Sequence, residues 1–243
     1  DSDDFVPADY IQKLVNFAQE NPSADYYYPR SFVLVDQNDQ SINQWNYQIF
    51  SEGNEVAAYL FNQACSPIPN PGSLKRKELF SRTGLYESLE TVEDFDFLCR
   101  NSTKIQFCRV DSSSPYYYRR LDTGNSHKYQ TRNRIMASSL NEMVRLYNPL
   151  LLCPQLKNIK DESQQLSFYY KFLYETFTRH SRAPMVKYPH YFTTCANIYR
   201  NKLYELERVA SQSSPAIADN KVEVNENLSD KENLLADFRE GAK

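Results

Sequence analysis

The spacing of apolar positions changes repeatedly along the first sixty-odd residues. In "ADYIQKLVNFAQENP", Ile11, Leu14, Val15 and Ala18 recur at helical spacing until Asn21-Pro22 stops the run, which predicts an amphipathic helix. "SFVLVD" is a short continuous apolar run, the pattern of a buried strand. "INQWNYQIF" alternates Trp45, Tyr47 and Ile49 with Asn46 and Gln48, the pattern of a half-buried strand. The polar "QNDQS" between them predicts an antiparallel hairpin. Helical spacing returns in "NEVAAYLFNQAC", with Asn54 as N-cap and Val56, Tyr59, Leu60 and Ala64 on one face.

Three prolines within residues 65–73 then mark a loop or linker in extended form. Residues 74–98 are mixed and read as one or two short helices. "KIQFCRV" puts Ile105 and Phe107 on one face of a strand, "DSSSP" reads as a turn, and "YYYRR" as the strand returning beside it. After a polar loop at 121–133, Met136, Leu140, Met143 and Tyr147 define a helix closed by Pro149. "SQQLSFYYKFLYETFTRH" has the most regular stripe: Leu166, Tyr169, Tyr170, Leu173 and Phe177. A last long helix over about 191–209 uses Cys195, Ile198, Tyr199, Leu206 and Val209.

The fold class expected is α+β. The N-terminal half would hold antiparallel hairpins and short helices, the C-terminal half would be helical, and a disordered acidic tail would follow. No strand–helix alternation points to a parallel sheet. The reading is of one globular domain over 1–208, with candidate subdivisions near 65–73 and 121–133. Residues 209–243 would be a flexible acidic tail ending in a short helix. "DYYYPR" and "PYYYRR" look alike, but one shared triplet makes no repeat.

Composition narrows the chemistry. Only 5 of 243 residues are glycine, and neither a G-x-G-x-x-G nor a P-loop pattern occurs. Phosphate-cradling loops need glycine for close backbone approach, so both nucleotide folds are excluded and no cofactor is expected. The 19 tyrosines suit surfaces that are apolar with a polar tip. Five cysteines, an odd number without a C-x-x-C pair, favour reduced thiols over disulfides or zinc. The sequons at Asn101 and Asn227 match chance frequency in so Asn-rich a chain. No apolar run reaches the ~18 residues of a membrane span. Nuclear or cytoplasmic location is expected. An organelle stays open, because a chain starting at Asp1 leaves room for a removed targeting segment.

Charge is segregated. Residues 1–98 hold 6 Lys/Arg against 16 Asp/Glu, residues 99–208 hold 18 against 8, and residues 209–243 hold 4 against 7. Within 99–145 the basic residues are Arg100, Lys104, Arg109, Arg119 and Arg120, followed by Lys128, Arg132, Arg134 and Arg145. With Tyr117 among them they are the candidates for binding nucleic acid or an acidic protein partner, since cations neutralise phosphates and rings stack on bases. Tyr116 and Tyr118 would share one strand face and Tyr117 the other, which breaks up a three-ring platform. The arginines would serve equally well to meet the chain's own acidic half.

Catalytic signatures are thin. His127, His180 and His190 lie apart. His180 at a helix C-terminus suits the dipole, and His190 and Cys195, five residues apart, face different ways on a helix. "VEDFDF" reads as a solvated acidic segment with Phe95 and Phe97 buried, in preference to a cation-holding Asp-x-Asp. At the end of the chain, Ser229 and Glu232 form a capping-box pattern. Leu234, Leu235 and Phe238 then share one face of a short helix suited to docking on a partner. The function expected is a non-catalytic subunit, scaffold or adaptor in a larger intracellular, eukaryotic multiprotein assembly. The alternative is a nucleic-acid-binding module using 99–145.

Overall fold

The first helix forms as α1 (Tyr10–Glu20), but its core face is Tyr10, Leu14 and Ala18, while Ile11 is 62% exposed. Tyr10 takes the inner place because its ring packs on Tyr116 and its hydroxyl donates to the Gly72 carbonyl at 2.6 Å. The structure, a computed structural model, describes residues 4–112, 114–119 and 128–213. The chain divides into two compact units, Asp1–Met136 and Ala137–Lys243.

In the first unit, β1 (Tyr26–Pro29) and β2 (Ser31–Val35) form an extended run broken at Arg30, and β3 (Ser41–Asn46) turns back along β2 as the expected antiparallel hairpin. There follow α2 (Gly53–Gln63), β4 (Leu74–Lys75), α3 (Lys77–Thr83) and α4 (Glu93–Asn101), then β5 (Phe107–Val110) and β6 (Tyr116–Arg119). Among the described residues these strands make two mixed sheets, ordered β4-β1-β5 and β3-β2-β6.

The hairpin expected between β5 and β6 does not form. β5 runs parallel to β1 from Tyr26↔Phe107 to Pro29↔Val110, and β6 runs parallel to β2 from Phe32↔Tyr116 to Val35↔Arg119. The Ser/Pro segment after Val110 is therefore a detour in a chain that keeps its direction, not a reversal. Parallel pairing needs a long crossover, and the stretch from β3 through α4 supplies it, with a hairpin strand and three helices that hid the simple strand–helix rhythm.

Core formation explains the tyrosine run. Tyr26, Tyr27 and Tyr28 are buried completely or nearly so. Buried hydroxyls need partners. Tyr26 donates to the Pro69 carbonyl (2.9 Å), Tyr27 to the Asn21 carbonyl (2.6 Å) and Tyr28 to the Gln48 carbonyl (2.9 Å). The two similar triplets are thus unlike in place: one is the centre of a sheet, the other is β6. The proline-rich loop is packed, with Ile68 buried. Gly72 has φ +70°, and a Cβ there would lie 2.4 Å from the Tyr116 ring.

Two further expectations change. The N-cap of α2 is Glu52, whose N–H faces the Glu55 carboxylate at 3.5 Å, so Asn54 lies inside the helix. β3 is exposed along its whole length instead of half-buried.

α5 (Tyr129–Leu146) begins inside the expected polar loop. Met136, Leu140, Met143 and Tyr147 are all buried as predicted. In the second unit, Asn148 caps the one-turn α6 (Pro149–Leu152) by accepting the Leu150 N–H at 2.8 Å. α7 (Glu162–Ser181) is capped by Asp161 and buries the whole predicted stripe. α8 (His190–Ser213) buries Cys195, Tyr199, Leu206 and Val209, but Ile198 is exposed, and Phe192 and Ala196 take its inner place. Ring contacts pair His180 with Phe192, Phe177 with Tyr199 and Tyr170 with Tyr199. Later residues of α7 meet earlier ones of α8, so the two helices pack antiparallel. His180 is a buried ring of this core. The first residues of the expected tail, up to Ser213, continue α8. The docking helix proposed on Leu234, Leu235 and Phe238 lies outside the described residues, as does Arg120.

Candidate functional site

The basic candidates are distributed over separate elements, and Arg100, Arg109, Arg119 and Arg145 pair with acids of the same chain. On α4, the Arg100 Nε meets Asp96 at 2.7 Å. Lys104 reaches the Asn101 side chain at 3.5 Å. Arg109 on β5 pairs with Asp111 (2.7 Å) and donates to the Tyr47 carbonyl (2.6 Å). Arg119 on β6 pairs with Asp39 at 2.6 Å, and its N–H donates to Asp4 at 2.8 Å. Tyr117 stacks on Phe5 with centroids 4.7 Å apart and planes 5° apart, and the Arg119 guanidinium lies over the same ring. The structure therefore brings Tyr117 and Arg119 together around Phe5. Lys128 and Arg134 are exposed, and Arg132 turns to a cleft. Arg119–Asp39 joins charges far apart in the sequence, while Arg100–Asp96 and Arg109–Asp111 are local, and each is worth little where exposed.

That cleft has a volume of about 470 Å³. Phe32 of β2, Tyr47 and Tyr118 of β6 form one wall, with centroids 6.4 and 5.6 Å from Phe32 to the two tyrosines. The proline-rich loop contributes Ile68 and Asn70, and the entry to α4 contributes Glu90, Glu93 and Asp94. Val92, at the N-cap of α4, has φ +54°, a left-handed conformation that β-branched residues avoid. Asp94 accepts the Phe95 N–H at 2.8 Å, and burial, with Glu93 adding to it, raises its pKa. Phe95 and Phe97 are buried as expected, but Asp94 is not simply solvated. Behind the cleft, the Asn70 Oδ1 accepts from Lys75 (2.9 Å) and from the Tyr86 hydroxyl (3.0 Å). Lys75 also lies over the Tyr26 ring at 4.4 Å. Burial pushes the Tyr47 and Tyr86 phenols up, and Asp94 adds to both.

Burial pulls the Lys75 ammonium from 10.5 down to about 8, against the pull of Asp94. Between those values the unfolded chain holds a proton that the fold does not, so stability rises with pH there. This contribution is complete above the unfolded value and is lost as pH falls through about 8. Lys75→Met removes it. The stability of the variant relative to wild type, from urea midpoints, is expected to be greatest near neutral pH and to shrink by about pH 10. A difference that does not change with pH would show that the amine is not held below its ordinary range.

The open edge of β3 is the other feature of note. β3 ends its sheet, and residues 41–50 contain no charge and no proline, the usual guards of an edge strand. Ile42 and Trp45 are 52% and 42% exposed. The Tyr47 N–H donates to the Arg30 carbonyl at 2.9 Å. Antiparallel alternation then sends the main-chain groups of Gln44 and Asn46 away from β2. The Gln44 N–H is met locally, by the Asn43 side-chain Oδ1 at 2.8 Å.

Neither feature was legible in sequence. The proline-rich loop, reading as linker, concealed one wall of the cleft, and strict alternation in β3 suggested a buried face. No family model matches the chain, and no curated protein matches it. No helix among the described residues is long and apolar enough to cross a membrane.

Proposed function

We propose that this chain is a non-catalytic interaction subunit of a larger protein assembly, and that it receives an extended segment of a partner protein as an added strand on β3. The observation that supports this is the unguarded edge: six exposed residues, the main-chain groups of Gln44 and Asn46 turned outward, and two large apolar side chains. Strand addition draws affinity from main-chain hydrogen bonds and selectivity from alternate side chains. An intracellular setting accords with the five free cysteines, and with the burial of Asn101, whose amide donates to the Phe97 carbonyl and so is closed to a glycan in the folded chain.

Gln44→Pro removes an outward N–H without touching the bonds to β2, and proline is tolerated at such edge positions. Gln44→Ala keeps the N–H. Tagged wild type, Gln44→Pro and Gln44→Ala, purified from native cells with nuclease treatment, are to be compared for stoichiometric partners. The proline variant is expected to lose them with an unchanged melting temperature, and the alanine variant to keep them. Retention of every partner by the folded proline variant would end the strand-addition reading.

A further inference from the structure

The cleft beside α4 combines two features that suit one class of ligand. Its wall of Phe32, Tyr47 and Tyr118 is bent, with planes inclined 61° and 37° to Phe32, so the rings form a concave aromatic surface. Its lining also carries Glu90, Glu93 and Asp94 against the single cation Arg132, and so is net negative. Aromatic faces attract cations through the ring quadrupole, most strongly where water is excluded. A cavity of about 470 Å³ is of small-ligand size.

The spread of the carboxylates separates ligand classes. Among the described residues no three His, Cys, Asp or Glu side chains converge closely enough to hold a metal ion. A hard ion needs clustered oxygens at short range. An alkylated ammonium carries its charge over a larger, apolar surface, needs no inner-sphere ligands, and is served by rings on one side and diffuse negative charge on the other. We propose that this cleft binds an alkylammonium group, either that of a free small molecule or that of an alkylated lysine side chain. This goes beyond the strand-addition reading and does not rest on it.

The test uses the full chain and three probes: choline, a short peptide containing Nε-trimethyllysine, and 3,3-dimethylbutan-1-ol, the uncharged isostere of choline. Trp45, the single tryptophan, packs on Phe32 with centroids 5.1 Å apart, so its emission reports on the wall, and calorimetry supplies an independent readout. At least one charged probe is expected to bind about ten-fold more tightly than the alcohol. Choline binding alone assigns a free ligand; peptide binding alone, or much tighter than choline, assigns a lysine side chain. Glu93→Gln is expected to erase most of the preference for charge while leaving the fold and the binding of the alcohol unchanged. Phe32→Leu is expected to weaken the charged probes, with folding checked by circular dichroism. Equal binding of charged and uncharged probes, no saturable response to either charged probe, or a preference indifferent to Glu93→Gln would each overturn the proposal. Choline and the alcohol have no main chain to add to β3, and peptide binding counts for the cleft only where it responds to Glu93→Gln, so failure here leaves the Gln44→Pro result to stand or fall separately.

Discussion

Gly53→Ala is expected to destabilise the first unit by about 3 kcal/mol, the upper range for forced overpacking. Gly53 opens α2 where that helix meets the turn at Ser102–Lys104. A Cβ built there falls 1.7 Å from the Ser102 carbonyl oxygen, 2.6 Å from its carbon and 2.9 Å from the Thr103 Cα. All three are main-chain atoms, so no side-chain rotation relieves the overlap. The chain must open between α2 and the start of β5, where Glu52 bridges Gln106. The neighbouring Asn54→Ala supplies the comparison. Asn54 is exposed and is not the cap, so its removal should cost less than about 0.5 kcal/mol, the usual range for surface substitutions. Were it the cap, the loss would be about 1 kcal/mol. Urea midpoints for the two variants settle both points, and a Gly53→Ala midpoint equal to wild type would contradict the close approach.

Leu173→Ala is expected to cost about 2–5 kcal/mol, the range for leucine removed from a packed core. Leu173 is fully buried at the middle of the α7 stripe. Tyr170 and Phe177 flank it one turn either side, and both rings contact Tyr199 of α8, at 6.3 and 5.7 Å. Rings locked against one another cannot collapse into the vacated volume, which favours the upper half of the range. Lys171→Ala, at an exposed position of the same helix, should leave the midpoint almost unmoved. A small loss at Leu173 with unchanged denaturant slope would show that α7 and α8 are not packed as described.

The α7 stripe was legible because every member lies within a few residues of the next and the helix repeats its face every 3.6 residues. The same held for α5. It held less well for α1, where the helix is right but its face is turned, and at one position of α8, where Ile198 lies outside. In α1 a tyrosine with a distant hydroxyl partner, Gly72, outcompetes Ile11 for the interior. In α8 the aromatic Phe192 takes the inner position in place of Ile198. Hydrophobicity by residue type does not record which side chain has a partner waiting. The basic stretch shows the same limit: Arg119 is plain in sequence, but its partner Asp39 lies eighty residues earlier.

What the sequence determined by itself is what short-range interactions decide: where helices begin and end to within a few residues, the β2–β3 hairpin, and the division into a strand-bearing and a helical half. The tertiary structure decided the rest. It set β5 beside β1 and β6 beside β2, so that a turn signal became a detour in a parallel run. It buried three successive tyrosines whose hydroxyls needed backbone acceptors on separate loops. It left β3 as an open edge and drew a carboxylate thought to be solvated into an aromatic cleft. Each of these depends on contacts between segments far apart in the chain. Their free energy comes from desolvation and pairing that exist only once the partners have met, and local periodicity carries no trace of them.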